Sequence, residues 1–293
     1  MTHYAMVIEV DRCIGCYNCF VACRDEHAGI DHLPISAAQP RSGQSWIHIQ
    51  ECERGTFPKV KVSYIPVLCQ QCSDAPCVSV ARDGAVYRRD DGIVLIDPVK
   101  ATGQQSLVAS CPYNVIVWND TTNVPQKCTF CAHLLDVGWK EPRCVEVCPT
   151  QAMVFVDIDE PDSSVSKRRV DDVNRLRPEF GTNPLVGYRG LPKRFIAGEI
   201  VFADNDDVAG GVSVSLQHGD DLIITATDAY GDFEFENLDE NVEYVLSVAH
   251  PGYRPLQLTV STIKDLNLGC IALDPFRARF AKRGDSSDEH RQR

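Results

Sequence analysis

The chain has 293 residues, 44% of them hydrophobic and 24% charged, with a formal net charge of −12 at pH 7. This length suits two domains, each able to bury a core of its own. No run approaches the ~18 consecutive apolar residues of a membrane-spanning helix, and the balance of apolar and charged residues excludes a disordered chain.

The charge is unevenly spread. Residues 1–195 carry a balance of −2, residues 196–275 hold Arg254 and Lys264 against 15 acids, and the remainder carries +3. A change this sharp places a domain boundary near residue 195. No basic face dominates either part, so nucleic acid is not an expected partner. The opening MTHYAMVIEV has no basic start, apolar signal core or twin arginine, which predicts a cytoplasmic chain with no membrane contact. In that compartment fourteen cysteines read as metal ligands rather than as disulfides.

Val7-Ile8-Glu9-Val10 reads as a short first strand entering a cysteine loop. Cys13, Cys16, Cys19 and Cys23 follow with C-x2-C-x2-C-x3-C spacing. In bacterial ferredoxins that run wraps three sulfurs around one iron–sulfur cluster, and its fourth cysteine reaches another. Zinc, the alternative, takes separated C-x2-C pairs, which this tight run fits poorly. The second group is Cys69, Cys72 and Cys77, with Ala81 where a fourth cysteine would stand. Asp90–Pro98 reads as a hairpin. The third group is Cys111 alone, and the preceding Gly103–Ser110 offers no sulfur. The fourth is Cys128, Cys131, Cys144 and Cys148.

Under the exchange rule of two-cluster ferredoxins, the first group pairs with the fourth and the second with the third. Three complete sets result: Cys13, Cys16, Cys19 and Cys148; Cys23, Cys128, Cys131 and Cys144; and Cys69, Cys72, Cys77 and Cys111. A fourth cluster would need Ala81 and three positions before Cys111, and all four ligands are missing together. The expectation is three 4Fe-4S clusters on twelve cysteines. Four thiolates around each cluster leave negative charge to be met by N–H groups and bases. Arg12, Arg24, Lys127 and Arg143 stand beside ligands as candidates, with ordinary surface placement as the alternative. Cys52 and Cys270 fit no set, and Cys270 is expected to pack in a core. His27 and His133 are expected to pack or hydrogen-bond, because the cysteine sets are full. Tyr17, Tyr113 and Phe130 either shield clusters or fill core.

This layout resembles the iron–sulfur electron-transfer subunits of the dimethyl sulfoxide reductase-type molybdopterin oxidoreductases, over residues 4 to 156. The motifs Asp11-Arg12-Cys13-Ile14-Gly15-Cys16, Asp91-Gly92-Ile93-Val94-Leu95-Ile96-Asp97-Pro98 and Cys128-Thr129-Phe130-Cys131-Ala132-His133 carry the likeness. Arg24 stands where proline is common after the fourth cysteine. The resemblance implies an interleaved double ferredoxin-like domain. It also implies a large partner subunit holding the molybdopterin cofactor (molybdenum or tungsten) and the substrate, in a heterodimer. The missing cluster corresponds to the far end of the wire in four-cluster relatives, where electrons pass to a membrane partner. Three clusters followed by a β domain most resemble the small subunits of transhydroxylases and hydroxylases of phenols such as pyrogallol and resorcinol. The expected role is to carry electrons for a partner that hydroxylates, transhydroxylates or dehydroxylates hydroxylated aromatics. No catalytic triad, phosphate loop or dinucleotide fingerprint appears, so catalysis on this chain alone is not expected. The competing reading is a stand-alone polyferredoxin, or service to a different molybdenum or tungsten enzyme.

Residues 157–194 hold Lys167, Arg168, Arg169, Arg175, Arg177, Arg189, Lys193 and Arg194 and read as an extended basic linker or arm. Beyond it, apolar and polar residues alternate with period two, marking seven strands at 195–203, 211–218, 222–228, 231–237, 243–249, 255–261 and 265–273. Seven short strands in residues 195–275 predict an all-β sandwich. Ala209-Gly210-Gly211, Thr227–Gly231, Glu243-Tyr244 and Pro251-Gly252-Tyr253 resemble the transthyretin-like (carboxypeptidase-regulatory-like) fold. The whole is therefore expected to be α+β. Asp204, Asp206 and Asp207 read as a solvated loop, because no closing glutamate completes a calcium site. Residues 276–293 are polar and expected to be disordered.

Overall fold

A computed structural model describes residues 2–159 and 173–276. The chain divides into two compact units, one of residues up to Glu53 with Val62–Leu191, the other of Arg54–Lys61 with the chain from Pro192.

In the first unit, strand β1 (Tyr4–Glu9) opens the chain, followed by helix α1 (Asn18–His27). The long strands β2 (Ile47–Thr56) and β3 (Lys59–Leu68) pair with each other, and the short helix α2 (Pro76–Val80) follows. Hairpin β4 (Val86–Arg88) and β5 (Val94–Ile96), helix α3 (Ser106–Ala109) and hairpin β6 (Val117–Asn119) and β7 (Val124–Gln126) come next. Helices α4 (Ala132–Leu135) and α5 (Arg143–Glu146) lead to β8 (Met153–Asp157), and β9 (Val186–Arg189) closes the unit. Strand β1 lies between β8, antiparallel, and β9, parallel. Ala5, Met6, Val7 and Ile8 are all buried, as a strand covered on both faces requires. Helix α1 packs on α5, and α2 on α3. The first cysteine group thus meets the fourth, and the second meets the third.

The expected linker is different in structure. Residues 173–191 belong to the first unit, and Val186–Arg189 pair in parallel with β1. Val186 and Tyr188 are fully buried, and Arg189 bonds Glu9 at 3.1 Å. A strand with two buried side chains cannot remain a free arm. Lys167, Arg168 and Arg169 lie outside the described residues, as does the tail beyond Phe276.

The second unit contains seven strands where the alternation places them: β10 (Arg194–Phe202), β11 (Ser213–His218), β12 (Asp221–Ala226), β13 (Asp232–Leu238), β14 (Glu243–Ala249), β15 (Leu256–Ser261) and β16 (Leu266–Leu273). They form a three-stranded sheet, β13-β10-β16, and a four-stranded sheet, β12-β11-β14-β15. Ile196, Ile200 and Phe235 from one sheet and Val214, Leu216 and Leu246 from the other share one core.

Cys270 is exposed rather than packed. Between Ala197 and Glu199 the β10–β16 register shifts, so Asn267 faces Ala197 but Cys270 faces Glu199. One extra residue in a strand turns every later side chain to the opposite face. Without the bulge Cys270 would sit opposite buried Ile200.

The β2–β3 hairpin tip belongs to this second unit, which sequence periodicity did not reveal. Gly55 has φ +85°, and a Cβ there would stand 2.4 Å from the Lys59 carbonyl oxygen, so the turn needs glycine. Lys59 and Lys61 reach the Glu234 carboxylate at 2.8 and 2.5 Å, and Arg54 reaches buried Asp265 at 3.5 Å. Burial pushes the Glu234 carboxyl up, but the two lysines outweigh it and hold it below its ordinary value of 4.5. A depressed carboxyl contributes stability above its unfolded pKa and loses that contribution as pH falls through the folded value. Wild-type stability of this unit is therefore expected to fall more steeply below pH 4.5 than that of Glu234→Gln, in urea unfolding at stepped pH. Parallel acid profiles for the two proteins would contradict the assignment.

Candidate functional site

Each cysteine loop is built on left-handed backbone. Gly15 (φ 66°) and Tyr17 (φ 60°) lie in the first group, Gln71 (φ 49°) between Cys69 and Cys72, and Phe130 (φ 52°) and Cys131 (φ 51°) in the fourth. Such residues bend a short loop so that successive N–H groups line one concavity, a favourable seat for an anionic group. Gly15 is obligatory, since a Cβ would stand 2.6 Å from the Tyr64 ring. Helix α1 then carries Cys19 and Cys23 one turn apart on a buried face.

Electrostatic neighbours among the sulfurs fall into three groups of four. Cys13 and Cys19 feel Cys16 and Cys148. Cys23 feels Cys131, Cys128 feels Cys23 and Cys131, and Cys144 feels Cys131, Cys128 and Cys23. Cys72 feels Cys69, Cys111 and Cys77. Cys69, Cys72, Cys77 and Cys111 also line one cavity. The groups adjoin in a row: Cys19 neighbours Cys23 and Cys144, and Cys128 neighbours Cys69.

Burial drives most of these thiols up. Cys19 and Cys131 rise to about 11, Cys23 and Cys72 to about 12, and Cys128 and Cys144 well above the ordinary value. Four desolvated thiols at one point ionise together only around a cationic centre. Sulfur-only donors, four to a group, fit the iron–sulfur clusters implied by their spacing. Cys148 differs: burial raises it, but the Thr150 hydroxyl and the N–H groups of Ala152, Met153 and Thr150 outweigh that and bring it below normal. The Ala152 N–H donates to its sulfur at 3.2 Å.

The groups differ in exposure. Cys16 is exposed and Cys13 and Cys148 are half-buried, whereas Cys23, Cys128, Cys131 and Cys144 are all buried. Exposed Ile14 and Val21 flank the open group. Phe130 is fully buried beside the middle group and meets Phe155 edge-on at 5.3 Å. Between the middle and third groups, Gln71 donates to the Cys128 carbonyl at 3.1 Å and accepts from the Val94 N–H at 2.8 Å. Where a further group would need sulfur at position 81, Gln104 closes the chain. Its side chain accepts from the Arg82 N–H at 3.0 Å and donates to the Arg82 carbonyl at 3.2 Å.

Four sequence-designated bases separate by environment. Arg12 is exposed. Arg24 bonds Gln39 and the Gln44 carbonyl, and Arg143 is paired with Glu26 and Glu146. Lys127 is buried at 2% exposure. His27, His32 and His133 form a cluster missed from sequence, because His32 lies outside every cysteine motif. The His27 ring is 3.9 Å from the Cys131 sulfur, and burial with the charges of His133 and His32 pushes it down to about 3. His133 bonds the Glu26 carboxylate at 2.9 Å and His32 the Glu26 carbonyl at 2.9 Å. His32 and His133 stack at 3.7 Å and 20°. Parallel rings cannot both aim in-plane lone pairs at one ion, so the cluster reads as a hydrogen-bonded cover beside Cys131. Cys52 is half-buried and joins no group.

Residues 60–158 match the 4Fe-4S dicluster domain family. The pyrogallol hydroxytransferase small subunit of Pelobacter acidigallici is 39% identical over 280 residues, covering 93% of this chain and 100% of that relative. The arsenate respiratory reductase iron–sulfur subunit of a Shewanella species is 32% identical, covering 62% of this chain and 94% of its own. A tetrathionate reductase subunit of Salmonella typhimurium is 36% identical, covering 66% of this chain and 74% of its own. No helix among the described residues is long and apolar enough to cross a membrane.

Proposed function

Because the chain belongs to the iron–sulfur electron-transfer subunits of the molybdopterin oxidoreductases, we propose that it holds three 4Fe-4S clusters and serves a large molybdopterin-bearing catalytic subunit acting on hydroxylated aromatics. The reading has the partner hydroxylate, transhydroxylate or dehydroxylate its substrate, with this chain in the cytoplasm as the carrier. The observation that carries it is the division of twelve cysteines into three adjoining groups of four neighbours.

Bound there, the clusters supply one-electron chemistry, whereas substrate chemistry at molybdenum or tungsten moves two electrons. This chain's own residues do three things. Cys13, Cys16, Cys19 and Cys148 would hold the group that reaches the surface. Cys23, Cys128, Cys131 and Cys144 would hold the middle one, from which Phe130, fully buried beside it, excludes water. Cys69, Cys72, Cys77 and Cys111 would hold the third. Support for an aromatic substrate is the extent of one likeness. The pyrogallol hydroxytransferase subunit matches 93% of this chain, while the arsenate and tetrathionate reductase subunits match 62% and 66%. The β domain is thus part of what is shared with it.

The native complex, purified without oxygen, should be offered pyrogallol and resorcinol with an oxidised redox dye as electron acceptor, and arsenate and tetrathionate with the reduced dye as electron donor, in separate incubations, with products followed by chromatography. Conversion of a phenol alone is the expected result. Turnover of an inorganic oxyanion with every phenol untouched would move the complex to another branch of the family.

A further inference from the structure

Lys127 is the one lysine or arginine that is buried among the described residues. Its ammonium donates to the carbonyl oxygens of Val94 and Cys128. No carboxylate lies within ion-pair distance of it among the described residues. Neutral carbonyls accept two of its three N–H groups but do not cancel its charge. A buried ammonium is costly unless a negative partner compensates it. The side chain lines the same cavity as Cys69, Cys72, Cys77 and Cys111. The missing counter-charge therefore lies in the cavity.

We propose that Lys127 is the fixed counter-charge of the centre held by Cys69, Cys72, Cys77 and Cys111 and raises its reduction potential. The proposal rests on the reading that these four sulfurs hold a cluster. One electron entering that centre from an external reductant adds one negative charge there and moves no proton. A positive charge fixed at the cavity wall favours the reduced form over the oxidised one. Lys127 touches no substrate; it is a positioning residue whose signature is a potential.

The test is a potentiometric titration of the iron-replete native complex, poised with dithionite and ferricyanide and followed by electron paramagnetic resonance. Wild type is compared with Lys127→Met, Lys127→Gln and Lys127→Arg. The signal of this centre is the one that Cys111→Ser removes. In Lys127→Met and Lys127→Gln the ratio of reduced to oxidised centre at a fixed potential should fall at least tenfold, a shift of about 59 mV to more negative values. Lys127→Arg should recover most of it. Selective loss of this cluster from the Met and Gln variants, restored by Arg, supports the same conclusion. Unchanged potentials in folded, iron-replete variants would overturn the proposal, and so would loss of all three clusters together, since Lys127 would then serve the fold as a whole. Failure of the underlying reading is distinct, because Cys111→Ser would then remove no signal from the otherwise unaltered chain.

Discussion

Replacing Cys111 with serine is expected to lower bound iron from about twelve to about eight atoms per chain and to remove one paramagnetic signal while two persist. Cys111 lines the cavity that it shares with Cys69, Cys72 and Cys77. It reaches that cavity from the loop after α3, which packs on α2, so the loss stays local. Serine offers a hard oxygen in place of a soft thiolate and holds iron–sulfur clusters poorly. Ala81→Cys is the control. It should add no iron, because Gln104 already ties the backbone of Arg82 and no three further sulfurs face position 81. Disappearance of all three signals from a protein that keeps its fold would show that the cysteines are paired differently.

Phe130→Ala is the second large effect. Phe130 is fully buried, stands between Cys128 and Cys131, and meets Phe155 edge-on. Truncating a buried aromatic side chain costs about 3–5 kcal/mol. The cavity left behind also opens a path for water and oxygen to the group with all four cysteines buried. Two readouts are expected together: a lower urea midpoint for the first unit, and faster bleaching of the middle centre in air. A variant that is less stable but bleaches at the wild-type rate would mean that Phe130 fills core and shields nothing.

What the sequence makes legible follows from how local each signal is. Cysteine spacing encodes loop geometry directly, because three sulfurs within seven residues must share one concavity. The strands of the second unit are legible because their two faces meet different media, and alternation records that. The bulge between Asn267 and Cys270 is where this fails. It shifts the register by one residue and turns Cys270 outward, a change that alternation alone cannot reveal. Strand β9 is hidden for another reason. Its partner β1 lies at the other end of the unit, and parallel pairing across that separation leaves no local pattern. The hairpin tip at Arg54–Lys61 joins the second unit through ion pairs with Glu234 and Asp265, partners about 170–210 residues away in sequence. Lys127 and the three arginines beside cysteines look alike in sequence. Only packing shows that two of the arginines have found partners, that Arg12 faces solvent, and that the lysine is enclosed with sulfur.

The measurement that bears most directly on the central claim is metal content of the native protein, purified anaerobically under conditions that keep partners bound. Iron, molybdenum and tungsten are determined on one sample together with the subunits present. The account predicts a large second subunit bearing molybdenum or tungsten, and iron of at least about twelve atoms per copy of this chain. About twelve iron atoms on a lone chain, with neither heavier metal nor partner, would contradict it and leave a free electron carrier.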